Sequence, residues 1–467
     1  MRKSIALLLV LIFLTASCLS VSKPAFSSAS GVAENTWTQK APMPTARGGL
    51  GVATANGKIY AIGGSIQNVY NSPSSSWEIV GTNEEYDHTT NTWTTKKPMP
   101  TPRVYFATAV YQDKIYCFGG IIGLGQFPYQ DTDILLTGHL WSNATEVYDP
   151  ATDMWETKAP MPSTSQKQLA ATVVDGKIYF VGGYGTQPAM VYDPVTDSWN
   201  TTLANSSKLT DLVAGDGEFA AAVVGNKIYA VSRSMWVPSS GALFVYDVSN
   251  ESWSLGATAP SSISGGVAVV TSGLNAPERV YFVGPTANYA YDPVSDSWQL
   301  GVTIPTSRID FGITILNDKL YVLGGYSFVS KAKGYVPGTA MNEQYTPFGY
   351  GTVPPKVSVV SPENKKYPSS SVPLAFAVNK PVVWLGYSLD GKDNATISGN
   401  TTITDLTNGL HNVTVYARDE FENTGASETI SFSVEVPFPL APIAAASVAV
   451  VAVVIAGLLL YFKKRKR

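Results

Sequence analysis

The sequence predicts an all-β protein: a ring of short-stranded repeats, a second β-module, and one apolar C-terminal helix. Three observations predict the ring. A Lys-Ile-Tyr-like strand recurs with its tyrosine at Tyr60, Tyr116, Tyr179, Tyr229, Tyr281 and Tyr321. A tryptophan closes the units at Trp93, Trp155, Trp199, Trp253 and Trp298, with Trp37 ahead of the first. Turn signals such as Asp193-Pro-Val-Thr-Asp197 stand between, where acidic side chains bond nearby backbone. The tyrosines fall 40 to 63 residues apart, a period that points to a propeller or a solenoid.

Composition agrees. Among 467 residues, 40 glycines and 30 prolines suit a chain of many turns, and charge is sparse at 14%. Seven bases (Arg2, Lys3 and Lys463 to Arg467) lie outside the predicted folded part, which keeps 25 bases against 35 acids. Such a body repels phosphate backbones and argues against nucleic-acid binding. Only Cys18 and Cys117 occur, and Cys18 lies in the leader, so Cys117 reads as a small buried hydrophobe.

In chain order, residues 1–22 read as a secretory signal: Arg2-Lys3, an apolar run from Ile5 to Leu14, then small residues. Asn35-Thr-Trp-Thr-Gln39 is the last strand of a unit whose first three strands are missing, and the final repeat, Arg308 to Tyr345, lacks a tryptophan. The N-terminal strand is therefore expected to complete the last unit, closing the ring and removing two strand edges. Residues 347–356 form a linker. Residues 357–436 alternate in polarity, with turns at Asp390-Gly391 and Asn408-Gly409, and predict a β-sandwich. Residues 443–462 carry no charge and are long enough for one bilayer crossing, with a basic tail at 463–467. Signal and apolar helix together predict a cell-membrane, single-pass protein with its body outside. Seven sequons, at Asn143, Asn200, Asn205, Asn250, Asn394, Asn400 and Asn412, are glycosylation candidates.

The double glycines at Gly63-Gly64, Gly119-Gly120, Gly182-Gly183 and Gly324-Gly325, the Pro-Met-Pro segments at 42, 98 and 160, and the spaced tryptophans resemble kelch repeats. The resemblance covers residues 35–346 and implies a six-bladed kelch-type β-propeller. The stretches Leu385 to Gly391 and Gly409 to Asp419 resemble Ig-like modules on prokaryotic, often archaeal, surface proteins.

The residues supply little catalytic chemistry. A copper oxidase of the galactose-oxidase kind needs imidazole ligands, and only His88, His139 and His411 exist. No nucleophile-elbow pattern stands out, and neither a metal nor a cofactor is expected. Asp419-Glu-Phe-Glu-Asn423 reads as a solvated turn rather than a calcium loop. One constellation rises above this. Arg47, Arg103 and Arg308 share one repeat position before the innermost strand, with Gln166, Asp216 and Ser264 elsewhere. Long second-to-third-strand loops belong to the same three units and carry Tyr70, Trp77, Phe127, Tyr129, Trp141, Tyr326, Phe328 and Tyr335. Arginines and aromatics gathered at a channel mouth would suit an anionic or sugar-like ligand.

The expected function is a membrane-anchored extracellular binding or adhesion protein, its propeller meeting a protein or carbohydrate and its sandwich acting as a spacer. The alternative is a sugar-acid enzyme: kelch propellers resembling this one include sialic acid mutarotases, with the arginines on a carboxylate and Asp216 moving a proton.

Overall fold

The computed structural model describes residues 32–67, 78–124, 139–162, 169–182, 190–201, 219–232, 241–260, 267–327, 337–437 and 440–465. The leader expected at 1–22 lies outside them. Six four-stranded antiparallel sheets form among the described residues. Blade one is Gly51–Ala55, Lys58–Ile62, Asn83–Asp87 and Thr92–Lys96. Blades two to five repeat this meander, starting at Ala107, Ala170, Phe219 and Val267. Blade six combines Gly312–Leu316, Lys319–Leu323 and Asn342–Thr346 with the N-terminal strand Thr36–Gln39, in register Trp37 opposite Tyr345. The first strands touch in ring order, and that of blade six meets that of blade one.

Among the described residues, a repeated clamp joins five of the six blades to the one before. In blade two, the Tyr148 hydroxyl donates to Asp153 Oδ1 at 2.8 Å. Asp153 Oδ1 also accepts the Lys97 backbone N–H at 3.0 Å, and Trp155 Nε1 donates to the Lys97 carbonyl at 2.9 Å. One residue leaving blade one is thus held by both its backbone groups. Asn91 and Trp93 hold Ala41 in the same way, Asp197 and Trp199 hold Ala159, and Asp296 and Trp298 hold Ala257. For blade six the N-terminal strand supplies the grip. Asn35 accepts from Val302 N–H and the Tyr345 hydroxyl, and Trp37 donates to the Val302 carbonyl. The clamping Asn or Asp has φ near +50° in every case, a conformation these two side chains tolerate better than most. The tryptophans therefore work between blades, as their spacing suggests.

The C-terminal module has nine strands in two sheets around Val357, Val372, Leu374, Val413, Val415 and Phe432. It is docked on the propeller. Lys380 is buried, pairs with buried Asp419 at 2.6 Å, and donates to the carbonyls of Leu274 and Val353. Asn423 Nδ2 donates to the Gly351 carbonyl at 2.7 Å, and Gly351 N–H reaches the Asn275 carbonyl. The blade-five hairpin in this contact is pinned in turn by Asp318 of blade six. Its carboxylate accepts the backbone N–H groups of Ser272, Leu274, Asn275 and Ala276. Asp419 is thus committed to Lys380 and to the N–H groups of Phe421 and Asn423.

A helix spans Leu440–Arg465, and its side chains are described from residue 448. Its last turn carries three cations, Lys463, Lys464 and Arg465. Among the described residues no helix is long and apolar enough to cross a membrane. This overturns the expected single-pass span at 443–462 and the cell-membrane location drawn from it. Of the sequons, Asn200, Asn250, Asn394 and Asn400 are exposed, Asn143 and Asn412 are half-buried, and Asn205 lies outside the described residues.

Two outcomes are expected. Trp37→Ala removes the tilted ring contact with Tyr345 and the bond to Val302, and should cost roughly 3 kcal/mol in urea unfolding. An unchanged midpoint would mean the ring does not depend on its N-terminal closure. In the C-terminal module, the His411 ring faces the Thr407 carbonyl and the Asp390 carboxylate, each at 2.8 Å. The Thr407 carbonyl first, then Asp390, raises the imidazole pKa above its ordinary 6.5. Its stabilisation is complete below about pH 6.5 and fades as pH rises through the folded value. Thermal melts from about pH 5.5 to 8.5 should show this fall, and His411→Gln should flatten it.

Candidate functional site

The three arginines sit in Pro-Thr-x-Arg segments that lead into blades one, two and six. Arg47 lies wholly inside the protein. Its Nε donates to the Gly63 carbonyl at 2.8 Å, Nη2 to Ala61 at 2.7 Å, and Nη1 to Thr45 at 2.8 Å. Nη1 also pairs with Glu84 Oε2 at 2.6 Å, while the Thr45 hydroxyl donates to Glu84 Oε1 at 2.7 Å. Blade six repeats the set: Arg308 reaches Gly324, Val322 and Thr306 carbonyls and pairs with Glu343, which Thr306 also holds. In blade two the clasp is looser. Arg103 Nη2 lies 3.1 Å from both Glu146 and the Cys117 carbonyl, and its Nε and Nη1 have no hydrogen-bond partner among the described residues. Burial, the largest influence, lowers the pKa of all three guanidiniums. Burial likewise pushes the Cys117 thiol up to about 12, so it is an inert core residue.

The glutamates stand two residues before the third-strand tyrosine. At that place blades three, four and five carry Met190, Phe244 and Tyr289, all buried and in matching register. Those are the blades whose arginine position holds Gln166, Asp216 and Ser264, all outside the described residues. Arginine and glutamate are present together or absent together. This correlation is the signal in the sequence that identifies the arginine as half of an internal pair.

Above the clasps stands a second tier of β-structure on the same three blades. Ile121–Leu124 pairs with His139–Trp141, and Arg308–Ile309 with Tyr326–Ser327. Bridges join Gly48 to Ser65, Ser65 to Ile79, Val104 to Ile121 and Gln67 to Pro337. Val104, Tyr105, Ile121 and Tyr326 pack together, with Ile79, Ile309 and Trp141 beside them. Tyr326 covers Gly48 so closely that a Cβ there would meet its ring at 2.6 Å, and its hydroxyl donates to the Ser65 carbonyl. The result is a collar on one half of the propeller face. It flanks a central channel whose wall comes from all six first strands.

Arg47, Arg103 and Arg308 lie on blades one, two and six, with their guanidiniums buried against carboxylates and carbonyls. Tyr326 is wholly buried and Trp141 half-buried in the collar, where they pack rather than wait for a ligand. Tyr70, Trp77, Phe127, Tyr129, Phe328 and Tyr335 lie outside the described residues.

Residues 29–232 match the KLHDC2/KLHL20/DRC7 Kelch-repeats domain. The chain carries a kelch-repeat domain. Curated relatives agree. Kelch repeat and BTB domain-containing protein 12 of Homo sapiens is 30% identical over 33% of this chain and 24% of its own length. Kelch-like protein terF of Aspergillus terreus is 26% identical over 51% of this chain and 50% of its own. The Xenopus laevis influenza virus NS1A-binding protein homolog is 45% identical over 18% and 11%. The chain thus spans half or less of the length of these relatives. The solved structure of YjhT aligns over 64% of this chain and 95% of its own, at 15% identity and a TM-score of 0.43.

Within this kelch domain, Arg47→Met strands the buried Glu84 carboxylate and three carbonyls, and should cost about 3–5 kcal/mol. Adding Glu84→Leu removes the stranded charge and should recover part of that loss, as Met190 and Phe244 suggest. Denaturant curves of both singles and the double check this. Strict additivity would mean the pair is not coupled.

Proposed function

We propose that this protein is a binding protein whose kelch domain engages a protein partner on the collar face of blades one, two and six. Kelch-repeat domains bind proteins, and the collar is the observation that carries the reading for this chain. Among the described residues, a ring with sixfold backbone regularity carries an added β-tier on blades one, two and six, which breaks the symmetry of its face. The tier rests on three internal ion-pair clasps, so its shape is set before any partner arrives. Such preorganisation lowers the cost of association. On the collar, Leu140 is 48% exposed and Glu78 is exposed. They offer an apolar contact and a charge without serving the core. The docked C-terminal module braces the blade-five hairpin.

The test is a double substitution, Leu140→Asp with Glu78→Arg, chosen because both side chains are exposed and should leave the melting temperature unchanged. Proteins cross-linked to the wild-type chain in extracts of its source cells should be lost from the variant. Recovery of the same proteins by both would place the partner surface elsewhere and sink the reading.

A further inference from the structure

We infer that the C-terminal module forms a covalent cross-link within itself: an isopeptide bond from the Lys380 side-chain amine to the Asn423 side-chain carbon, with Asp419 moving the proton. The inference begins from three side chains that the fold brings together. Lys380 precedes the strand Trp384–Leu389, Asp419 follows the strand Gly409–Arg418, and Asn423 stands just before the strand Thr424–Ala426. Lys380 Nζ lies 2.6 Å from Asp419 Oδ2, and Asn423 Nδ2 lies 3.1 Å from the same oxygen. An amine, a carboxylate and a carboxamide thus meet at one atom.

The meeting point is closed to water. The Lys380 and Asp419 side chains are 3% and 2% exposed. Among the described residues of the module, theirs is the one ion pair buried on both sides. Burial of such a pair carries a desolvation cost that attraction offsets only in part. The segment entering the module wraps the turn that holds Asp419 and Asn423. Tyr350 meets the Phe421 ring edge-on. A Cβ on Gly425 would meet the Pro355 carbonyl at 1.8 Å, so the chain there leaves no gap.

Backbone groups fix each member. Lys380 donates to the Leu274 and Val353 carbonyls. Asp419 accepts the N–H groups of Phe421 and Asn423 at 3.0 and 2.9 Å. Asn423 Nδ2 donates to the Gly351 carbonyl at 2.7 Å. Fixed reactants of this kind react as if at very high concentration.

The step balances without an oxidant or a cofactor. The Lys380 ammonium passes one proton to Asp419, which leaves a neutral amine and a neutral acid in a water-poor interior. The amine lone pair attacks Asn423 Cγ, a C–N bond forms, and the carbonyl π pair moves to Oδ1. Asp419 then gives its proton to Nδ2, which already contacts it. The carbonyl reforms, the Cγ–Nδ2 bond breaks, and ammonia leaves. The surplus proton on the new amide nitrogen passes through Asp419 to the ammonia. One ammonium and one carboxamide become one secondary amide and one ammonium ion. Lysine is the nucleophile and the carboxylate the acid–base. The product would tie two turns of the module together at its propeller-facing end.

The experiment is peptide mapping by mass spectrometry of the full chain, unfolded and digested after it has folded. Mapping reads the bond whatever happens at the chain's termini. The expected result is a branched peptide that joins Lys380 to Asn423 and is lighter by one ammonia than its two arms. Lys380 should then resist acetylation in denaturant. Asp419→Asn keeps the shape and removes the proton acceptor, and Asn423→Ala removes the carbon that is attacked. Both should yield two separate arms of full mass. Separate arms from the folded wild-type chain would overturn the inference, and this holds even where a variant fails to fold. A branched peptide lighter by one water would make Asp419 the carbon attacked and would overturn the assignment to Asn423. A branched peptide that persists in Asp419→Asn would overturn the proton path.

Discussion

The grip of a blade on one residue of its predecessor, repeated in five of the six, is the interaction on which the ring depends. A four-stranded sheet has two edges and two faces, and alone it would bury neither well. Packing neighbouring faces supplies burial but little register, because apolar surfaces slide. The clamp supplies the register. A tyrosine orients an Asp or Asn, that side chain takes a backbone N–H from the preceding blade, and the tryptophan takes the matching carbonyl. Two directional bonds on one residue leave the neighbouring blade a single position. The closing strand shows how general the device is. Asn35 and Trp37 come from the other end of the domain, yet they hold Val302 as Asp296 and Trp298 hold Ala257.

On this regular frame the interior is divided. Blades one, two and six carry an arginine–glutamate clasp inside each sheet, and the other three carry apolar residues at the glutamate place. A buried ion pair is poor evidence of net stability, since desolvation offsets much of the attraction. Its geometry is more informative. Each complete guanidinium collects carbonyls from the incoming segment and from the second strand as it reaches the double glycine. It thereby fixes where the long loop leaves the blade. The clasps and the collar occupy the same three blades because the collar needs its two ends held.

Much of this could be read from the sequence. Strand periodicity, the double glycines, the tryptophan spacing and the orphan strand at Trp37 are local patterns, and they led to six blades and to the closure. The burial of the arginines against glutamates was not legible, because position in a repeat says which end of a strand a residue occupies and not which way its side chain turns. Glu84 lies 37 residues beyond Arg47, and only the fold brings it to the guanidinium. The docking of the C-terminal module was equally hidden. Lys380, Leu274 and Asp419 belong to three distant segments, and Asp318 gathers four N–H groups from a hairpin in another blade.

What the sequence determined by itself was the repeating unit, its number and the strand that closes it. These follow from short-range hydrogen bonding and side-chain alternation, which act within a few residues of each position. The tertiary structure decided the rest. It buried three arginines against glutamates, raised a collar on one half of the face, and set Lys380 against Asp419 and Asn423. The reason is physical: burial and charge pairing depend on what lies within a few ångströms in space, and in a ring those neighbours come from opposite ends of the chain.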